Sequence, residues 1–473
     1  MSAFTSQERR AAVTLSFVYI TRMMGLFLLL PVLSILAQDL SGATPLLIGL
    51  AVGVYALFQA LLQIPFGLLS DRFGRKPVIL SGLAIFIAGS IVAAWSDSIW
   101  GIIAGRALQG VGAISSVVMA LAADLTRDSQ RTKIMAIIGA SIGLSFIASI
   151  IIGPVLMGRF DLSGIFYFIA ASAAIAALLV VFVVPDPDQK RKDRNVSVET
   201  TDLLPLLKNR ELLKIDFGIF LLHLLITASF VCVPLKLIEL GVAANLHWKL
   251  YLAGAAGSLL IVLPMIGIAE KKLSVKLTMM ISIVGLAVAE MLLGIAGSSF
   301  WFIVAAMVVF FGFLSVLESM LPSLVSRTAP ASLRGTAMGV YSSSQFLGAF
   351  LGGVTGGWLV GNVGTSRALF VLGGLCLMWL LVARWMKNPP KLKNYRLALN
   401  TASLSLLESG QNLEPDQGPE SNQGLEYGLH ARLMSVPGVA EVSIISAEGA
   451  AYLKVDRHEL DETLLLSYSK EGE

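Results

Sequence analysis

The chain has 473 residues, 56% of them hydrophobic and only 14% charged, with a mean hydropathy of +0.79. No soluble domain of this length tolerates that balance, so the composition excludes one and specifies an all-α polytopic membrane protein. The formal net charge of +4 sits mostly in loops, where it bears on topology rather than on a nucleic-acid partner.

The first ten residues are polar and end in Arg9 and Arg10, ahead of about 25 apolar residues. That run is too long for the core of a signal peptide and predicts a retained first helix. Taking runs of about 20 apolar residues as spans, helix 1 falls near 12–36, helix 2 near 46–69 and helix 3 near 77–95. Helix 4 falls near 99–123, helix 5 near 133–157 and helix 6 near 163–184, which makes residues 1–184 a six-helix bundle. Residues 185–213 are polar, carry Lys190, Arg191, Lys192 and Arg194, and read as a cytoplasmic linker ending in an amphipathic piece.

Six more spans follow near 214–239, 247–269, 275–296, 300–325, 335–361 and 366–386, so residues 214–387 form a second bundle. Cys232 and Cys376 both lie inside apolar runs and make neither a disulfide framework nor a metal motif. Loops after even helices are cationic (Arg72, Arg75, Lys76, Arg127, Arg131, Lys271, Arg327, Arg334), whereas loops after odd helices offer little beyond Arg159 and Arg367. This asymmetry predicts that both termini are cytoplasmic, with a bacterial inner membrane as the default location.

Asn388-Pro389-Pro390 stops the last helix, and residues 388–473 have ordinary soluble composition. Residues 395–399, 439–445 and 451–455 read as strands, 426–434 and 459–468 as helices, and 400–424 as a polar loop. With Val436-Pro437-Gly438-Val439 between helix and strand, this appendage resembles the small α+β ferredoxin-like domains of metal-binding proteins. It holds no cysteine, so no metal is expected, and His430 and His458 read as surface residues.

The two halves look like parallel repeats. Pro65 and Gly67 are echoed by Pro264 and Gly267, Asp71-Arg72 by Glu270-Lys271, and Arg131 by Arg334, each about 200 residues on. Only the first copy of the loop after the second helix is complete. It reads Gly-Leu-Leu-Ser-Asp-Arg-Phe-Gly-Arg-Lys-Pro-Val-Ile-Leu over 67–80. Gly67 admits a close neighbour, Gly74 permits a turn with positive φ, and Asp71 is the one acid among cations, able to meet the positive end of another helix.

This loop resembles the signature of the major facilitator superfamily of membrane transporters, with Gly67, Asp71, Arg72, Gly74, Arg75 and Lys76 matching in type. The resemblance covers residues 10–387 and implies two six-helix bundles around a central cavity, working by alternating access. Within that frame Asp124, closing helix 4, is expected to pair with Arg75. Asp71 is expected to cap helix 11 near Gly335 and Thr336 when the cytoplasmic side is shut. Gly67, Asp71, Arg72, Gly74, Arg75 and Asp124 are thus the candidate conformational switch.

Further resemblances lie inside the helices. Arg106, followed by Gln109 and Gly110, is similar to the family's helix 4 motif, which implies a part in proton coupling. A guanidinium at membrane depth must in any case be solvated from within. Ser149, Gly153, Pro154 and Gly158 in helix 5 resemble the antiporter motif, with serine in place of its first glycine. Helix 1 adds Arg22, Gly25 and Pro31. In the second half His223 and Glu318 lie roughly 10 to 14 Å from the cytoplasmic end at 1.5 Å per residue, so they are expected to share a depth and form a titratable pair. Arg22, Arg106, His223 and Glu318 are the candidate coupling or cavity residues, and Glu290 in helix 9 is the weaker candidate, nearer the outer face.

The expected function is secondary active transport, a proton-driven antiporter exporting a small amphipathic solute or drug. Alternatives are a proton-coupled uptake symporter for a sugar or organic acid, for which the first half offers little polar lining beyond Gln59, Gln63 and Gln109, and a transport-derived membrane sensor. No nucleotide loop or nucleophile constellation supports an enzyme, and no cofactor is expected. The expected partners are the solute, protons, membrane lipids and a regulator bound by the C-terminal domain.

Overall fold

Among the described residues, twelve helices are long and apolar enough to cross a membrane. In the computed structural model, which describes residues 4–185, 208–271, 274–329, 333–387, 392–399, 429–445, 450–456 and 460–469, the first six are Ser6–Asp39, Pro45–Phe73, Arg75–Ala94, Ile99–Asp124, Lys133–Met157 and Leu162–Phe182. The second six are Arg210–Glu239, Ala244–Ile268, Val275–Ile295, Phe300–Thr328, Gly335–Val363 and Thr365–Arg384. Expected and observed spans coincide to within a few residues, except that helix 1 and helix 7 start earlier. Most of the linker, the 400–424 loop and His458 lie outside the described residues, as do the side chains of Arg131, Glu270, Lys271 and Arg334.

Local chemistry sets the helix ends. Thr44 accepts from the Leu47 amide at 3.3 Å with Pro45 opening helix 2, and Ser98, Asp161 and Ser274 cap helices 4, 6 and 9 in the same way. Gly74 ends helix 2 at φ +96°, as its place in the loop requires. Helix 1 breaks after Phe27 and resumes at Leu30, where Pro31 has no amide to give to the preceding turn.

Residues 1–387 form one compact unit and 388–473 another. Within the first unit, helix 11 carries two rows of glycine. Gly348, Gly352 and Gly356 lie against Phe220, Leu224 and Ala228 of helix 7. Gly353 and Gly357 lie against Gly49 and Gly53 of helix 2, so closely that a Cβ on Gly49 would stand 2.9 Å from the Gly357 Cα. Rows set one residue apart face different helices because residues i and i+4 share a face, and backbones can approach this closely only where side chains are absent.

This contact between the bundles seals the end of the molecule opposite the signature loop, helped by Gly158 of helix 5 beside Asn245 at the start of helix 8. Toward the loop end the same helices part. A Cβ on Gly139, Gly143, Gly335 or Gly339 would meet nothing within 4 Å, and Leu61, Ile64 and Leu68 of helix 2 are 54% to 60% exposed.

The second unit has a three-stranded antiparallel sheet in the order β1-β3-β2, from Leu392–Ala398, Ala450–Asp456 and Val439–Ile445. A short helix at 429–434 and another at Glu462–Leu466 pack Leu429, Leu433 and Leu465 onto Leu397, Val442, Leu453 and Val455. The last helix is shorter than its expected 459–468 range, because Asp461 caps it and Ser469 already bridges Leu399.

Candidate functional site

Three groups of polar side chains stand inside or at the rim of the membrane unit. The first surrounds Arg22 and Arg106, both fully buried. Arg106 donates to the carbonyl oxygens of Gly25 (2.9 Å), Ala51 (3.3 Å) and Val52 (3.4 Å) and to Gln109 Oε1 (2.9 Å). Arg22 donates to the Gln109 carbonyl at 3.1 Å and to Gln59 Oε1 at 2.9 Å. Gln109 and Gln59 pass on hydrogen bonds to Ser90 and Ser115. Tyr55 presents its ring to both guanidinium carbons, at 5.6 Å and 4.9 Å, and Phe86 stacks on Arg22 at 4.6 Å.

This corrects two expectations. Arg22 and Arg106 do not line a cavity, and Gln59 and Gln109 are not solute-facing polar lining. They are the internal solvent of two cations that have no acidic partner among the described residues. Backbone carbonyls of helices 1, 2 and 4 supply the acceptors, so spacing alone could not reveal them.

The second group lies in the other bundle. His223 Nε2 is 3.4 Å from Glu318 Oε1, linking helices 7 and 10 at one depth, and Gln345 of helix 11 stands 2.7 Å from the same nitrogen. The Glu318 side chain is 37% exposed and that of His223 14%, so the pair is reachable from the open end. Asp216, two turns before His223 on helix 7, is half-buried with Oδ1 lacking a partner, and Tyr341 lies within electrostatic reach of both acids. Gln345, Tyr341 and Asp216 escaped the sequence reading. The available signal was the polar run Tyr341-Ser342-Ser343-Ser344-Gln345 inside an apolar span.

The third group is the signature loop. Arg75 binds Asp71 one turn away at 2.6 Å, Asp124 at 3.2 Å and Ser70 Oγ at 2.5 Å, and Lys76 reaches the Val184 carbonyl at 2.8 Å. The Arg75 and Asp124 side chains therefore meet. Asp71, 59% exposed, turns to Arg75 rather than to helix 11, whose Gly335 stands clear in this conformation. Gly67 has no close backbone neighbour here, only Ser116 Oγ at 3.7 Å from where a Cβ would be, and Arg72 lies over the Phe73 ring. Farther along, the helix 5 motif packs onto the helix 1 break. A Cβ on Gly153 would stand 2.6 Å from the Leu28 carbonyl and 3.4 Å from Pro31. Ser149 is buried with its hydroxyl unpartnered, and Gly158 faces Asn245.

Comparison with known proteins gives a consistent placement. The Major Facilitator Superfamily model matches residues 15–267 and again 215–413. The chain is 42% identical over 453 residues to the inner membrane transport protein YajR of Escherichia coli, covering 96% of this chain and 95% of that one. It is 26% identical over 391 residues to the multidrug resistance protein MdtH of Yersinia pestis, covering 79% and 94%. Among solved structures, a D-xylose-proton symporter superposes with a TM-score of 0.67 at 14% identity, over 81% of this chain and 99% of that one, which shows the shared fold. By its two repeated matches, its twelve helices and this relative of nearly full length, the chain belongs to the major facilitator superfamily of membrane transporters.

Proposed function

We propose that the protein is a proton-coupled antiporter that exports a small amphipathic solute across a bacterial inner membrane by alternating access. The observation that carries this reading is the His223–Glu318 pair, 3.4 Å apart and accessible from the open end. An imidazole hydrogen-bonded to a carboxylate can hold or pass a proton, and a solute entering the same space competes for the same groups. The exposed apolar side chains Leu61, Ile64 and Leu68 of helix 2 toward the same open end favour an amphipathic solute over a sugar, which needs many convergent hydrogen-bonding groups. Relatives named for multidrug and tetracycline resistance support export.

With cationic loops on the cytoplasmic side, the open end faces the cytoplasm and both termini lie there. The conformation is then the loading state of an exporter. Rocking of the bundles would shut the loop end, bringing Asp71 to the first turn of helix 11, with Gly67, Arg72, Gly74, Arg75 and Asp124 forming the switch. The helix 5 row from Ser149 to Gly158 acts as a packed pivot on helix 1. Arg22 and Arg106 contribute to coupling by holding helices 1, 2 and 4 in one register. Residues 388–473, with strand order and helix placement compatible with a ferredoxin-like domain, bind a regulator.

The test is proton flux in proteoliposomes loaded with a panel of lipophilic cations, dyes and sugars. Wild type is expected to move protons with at least one amphipathic solute, and Glu318→Gln or His223→Ala to abolish that movement without loss of folded protein. Solute-driven flux that survives both substitutions would refute the coupling role.

A further inference from the structure

Glu290 of helix 9 is fully buried and takes no part in the groups described above. Its Oε1 lies 2.5 Å from Ser229 Oγ on helix 7, and the same Oγ lies 2.7 Å from the Leu225 carbonyl oxygen one turn back. A serine hydroxyl has one proton to give, and a carbonyl oxygen can only accept. Two oxygens at hydrogen-bond distance from one hydroxyl therefore need a second proton, and the carboxyl of Glu290 is the group able to bring it. With that proton, Ser229 donates to Leu225 and accepts from Glu290, and both contacts are satisfied.

The ionised alternative has nothing to hold it. Oε2 has no partner, and no Lys, Arg or His pairs with Glu290 among the described residues. Helix 7 adds Cys232 and helix 12 adds Cys376, both buried thiols within electrostatic reach. Helix 10 contributes the apolar Met307, Phe310 and Phe311 beside Ser229. A bare carboxylate in such surroundings at membrane depth is disfavoured.

Ser229 and Tyr251 border a small cavity of about 10 Å³ with an apolar surface, beside Phe230, Val233, Leu293 and Met307. The Tyr251 hydroxyl is likewise buried without a partner. Tyr251 meets the His247 ring edge to face at 6.2 Å, near the end of the molecule opposite the signature loop.

We propose that Glu290 is a proton-binding site separate from the His223–Glu318 pair, loaded in this conformation and able to give its proton up. Ser229 and His223 share helix 7, so one movement of that helix acts on both sites. The use of this proton in coupling rests on the transport reading above, whereas its presence does not.

Infrared difference spectroscopy of the full-length protein in lipid, with no solute added, tests the assignment. The wild-type minus Glu290→Gln difference is expected to show the carbonyl stretch of a protonated carboxylic acid at neutral pH. Ser229→Ala is expected to shift that band, alkaline titration to bleach it reversibly, and Glu318→Gln to leave it in place. No acid band, a band unmoved by Ser229→Ala, or one that persists until the chain unfolds would each overturn the proposal. Should Glu290→Gln fail to fold, Ser229→Ala against wild type still carries the test, because it retains the carboxyl. An absence of transport with every solute would leave these spectra unchanged, so the two readings fail separately.

Discussion

Replacing Gly353 with alanine should open the sealed end of the molecule. The added Cβ would stand 2.8 Å from the Gly53 amide nitrogen and 3.0 Å from the Gly53 Cα. Both are backbone atoms of the other bundle, so no rotamer change relieves the clash and the bundles must separate. Overpacking of this kind costs about 1–3 kcal/mol. At about 1.4 kcal/mol per tenfold, the population sealed at that end falls roughly 5- to 150-fold relative to the state in which helices 2 and 11 part there. A disulfide between Pro45→Cys and Gly361→Cys reports the contact, since a Cβ on Gly361 would lie 3.3 Å from that of Pro45, close to ordinary disulfide reach. The two native cysteines are buried and can be replaced beforehand. Gly353→Ala should slow the oxidation, by up to that factor. Gly139→Ala, where a Cβ meets nothing within 4 Å, should leave it unchanged. Gly352→Ala clashes with Leu224 inside one bundle and should lower thermal stability without moving the equilibrium. Equal crosslinking rates in wild type and Gly353→Ala would refute the idea that the glycine row of helix 11 closes this end.

Arg106→Lys should lower the melting temperature in detergent despite keeping the charge, because an ammonium cannot span Gly25, Ala51, Val52 and Gln109 together. Each carbonyl left bare costs about 1–3 kcal/mol, and an unchanged melting curve would show that the guanidinium fork is dispensable. Gly74→Ala forces a side chain into a backbone conformation at φ 96° and ψ 153°, at a cost of about 1–3 kcal/mol. Thermal unfolding should detect this, with Gly143→Ala as the neutral comparison. In the C-terminal unit, hydrogen bonds from the Leu464 amide and from Thr463 hold the Asp461 carboxyl below its ordinary range. A carboxyl lowered on folding stabilises above its unfolded pKa and ceases to do so as pH falls through the folded one. Asp461→Ala should therefore lower the melting temperature of that unit at neutral pH and flatten its loss toward acid, and parallel pH profiles in mutant and wild type would contradict the capping role.

Where the physics is local, the sequence by itself was decisive. A membrane admits no unpaired backbone, so a run of about 20 apolar residues has to become a spanning helix. All twelve spans were legible for that reason, as were the strands from Val439 to Ile445 and near Leu453, whose alternation is equally local. The turn at Gly74 and the shared depth of His223 and Glu318 also followed from short-range rules, since rise per residue converts position into depth. The lateral arrangement of the helices is a different kind of fact. Depth does not say which helices touch, so Gln345 on helix 11 was invisible as a third partner of His223. Gln59 and Gln109 read as lining until the packing turned them onto two arginines. Only the tertiary structure assigned Gly348, Gly352 and Gly356 of helix 11 to helix 7 and Gly353 and Gly357 to helix 2. Glu290 illustrates the limit most plainly: a single carboxylate in an apolar span is ambiguous in sequence, and its protonation turns on a serine 61 residues away that the fold brings within 2.5 Å. Contacts between helices depend on which small residues happen to face each other across a closed interface, and that is a property of the assembled bundle rather than of any one stretch of chain.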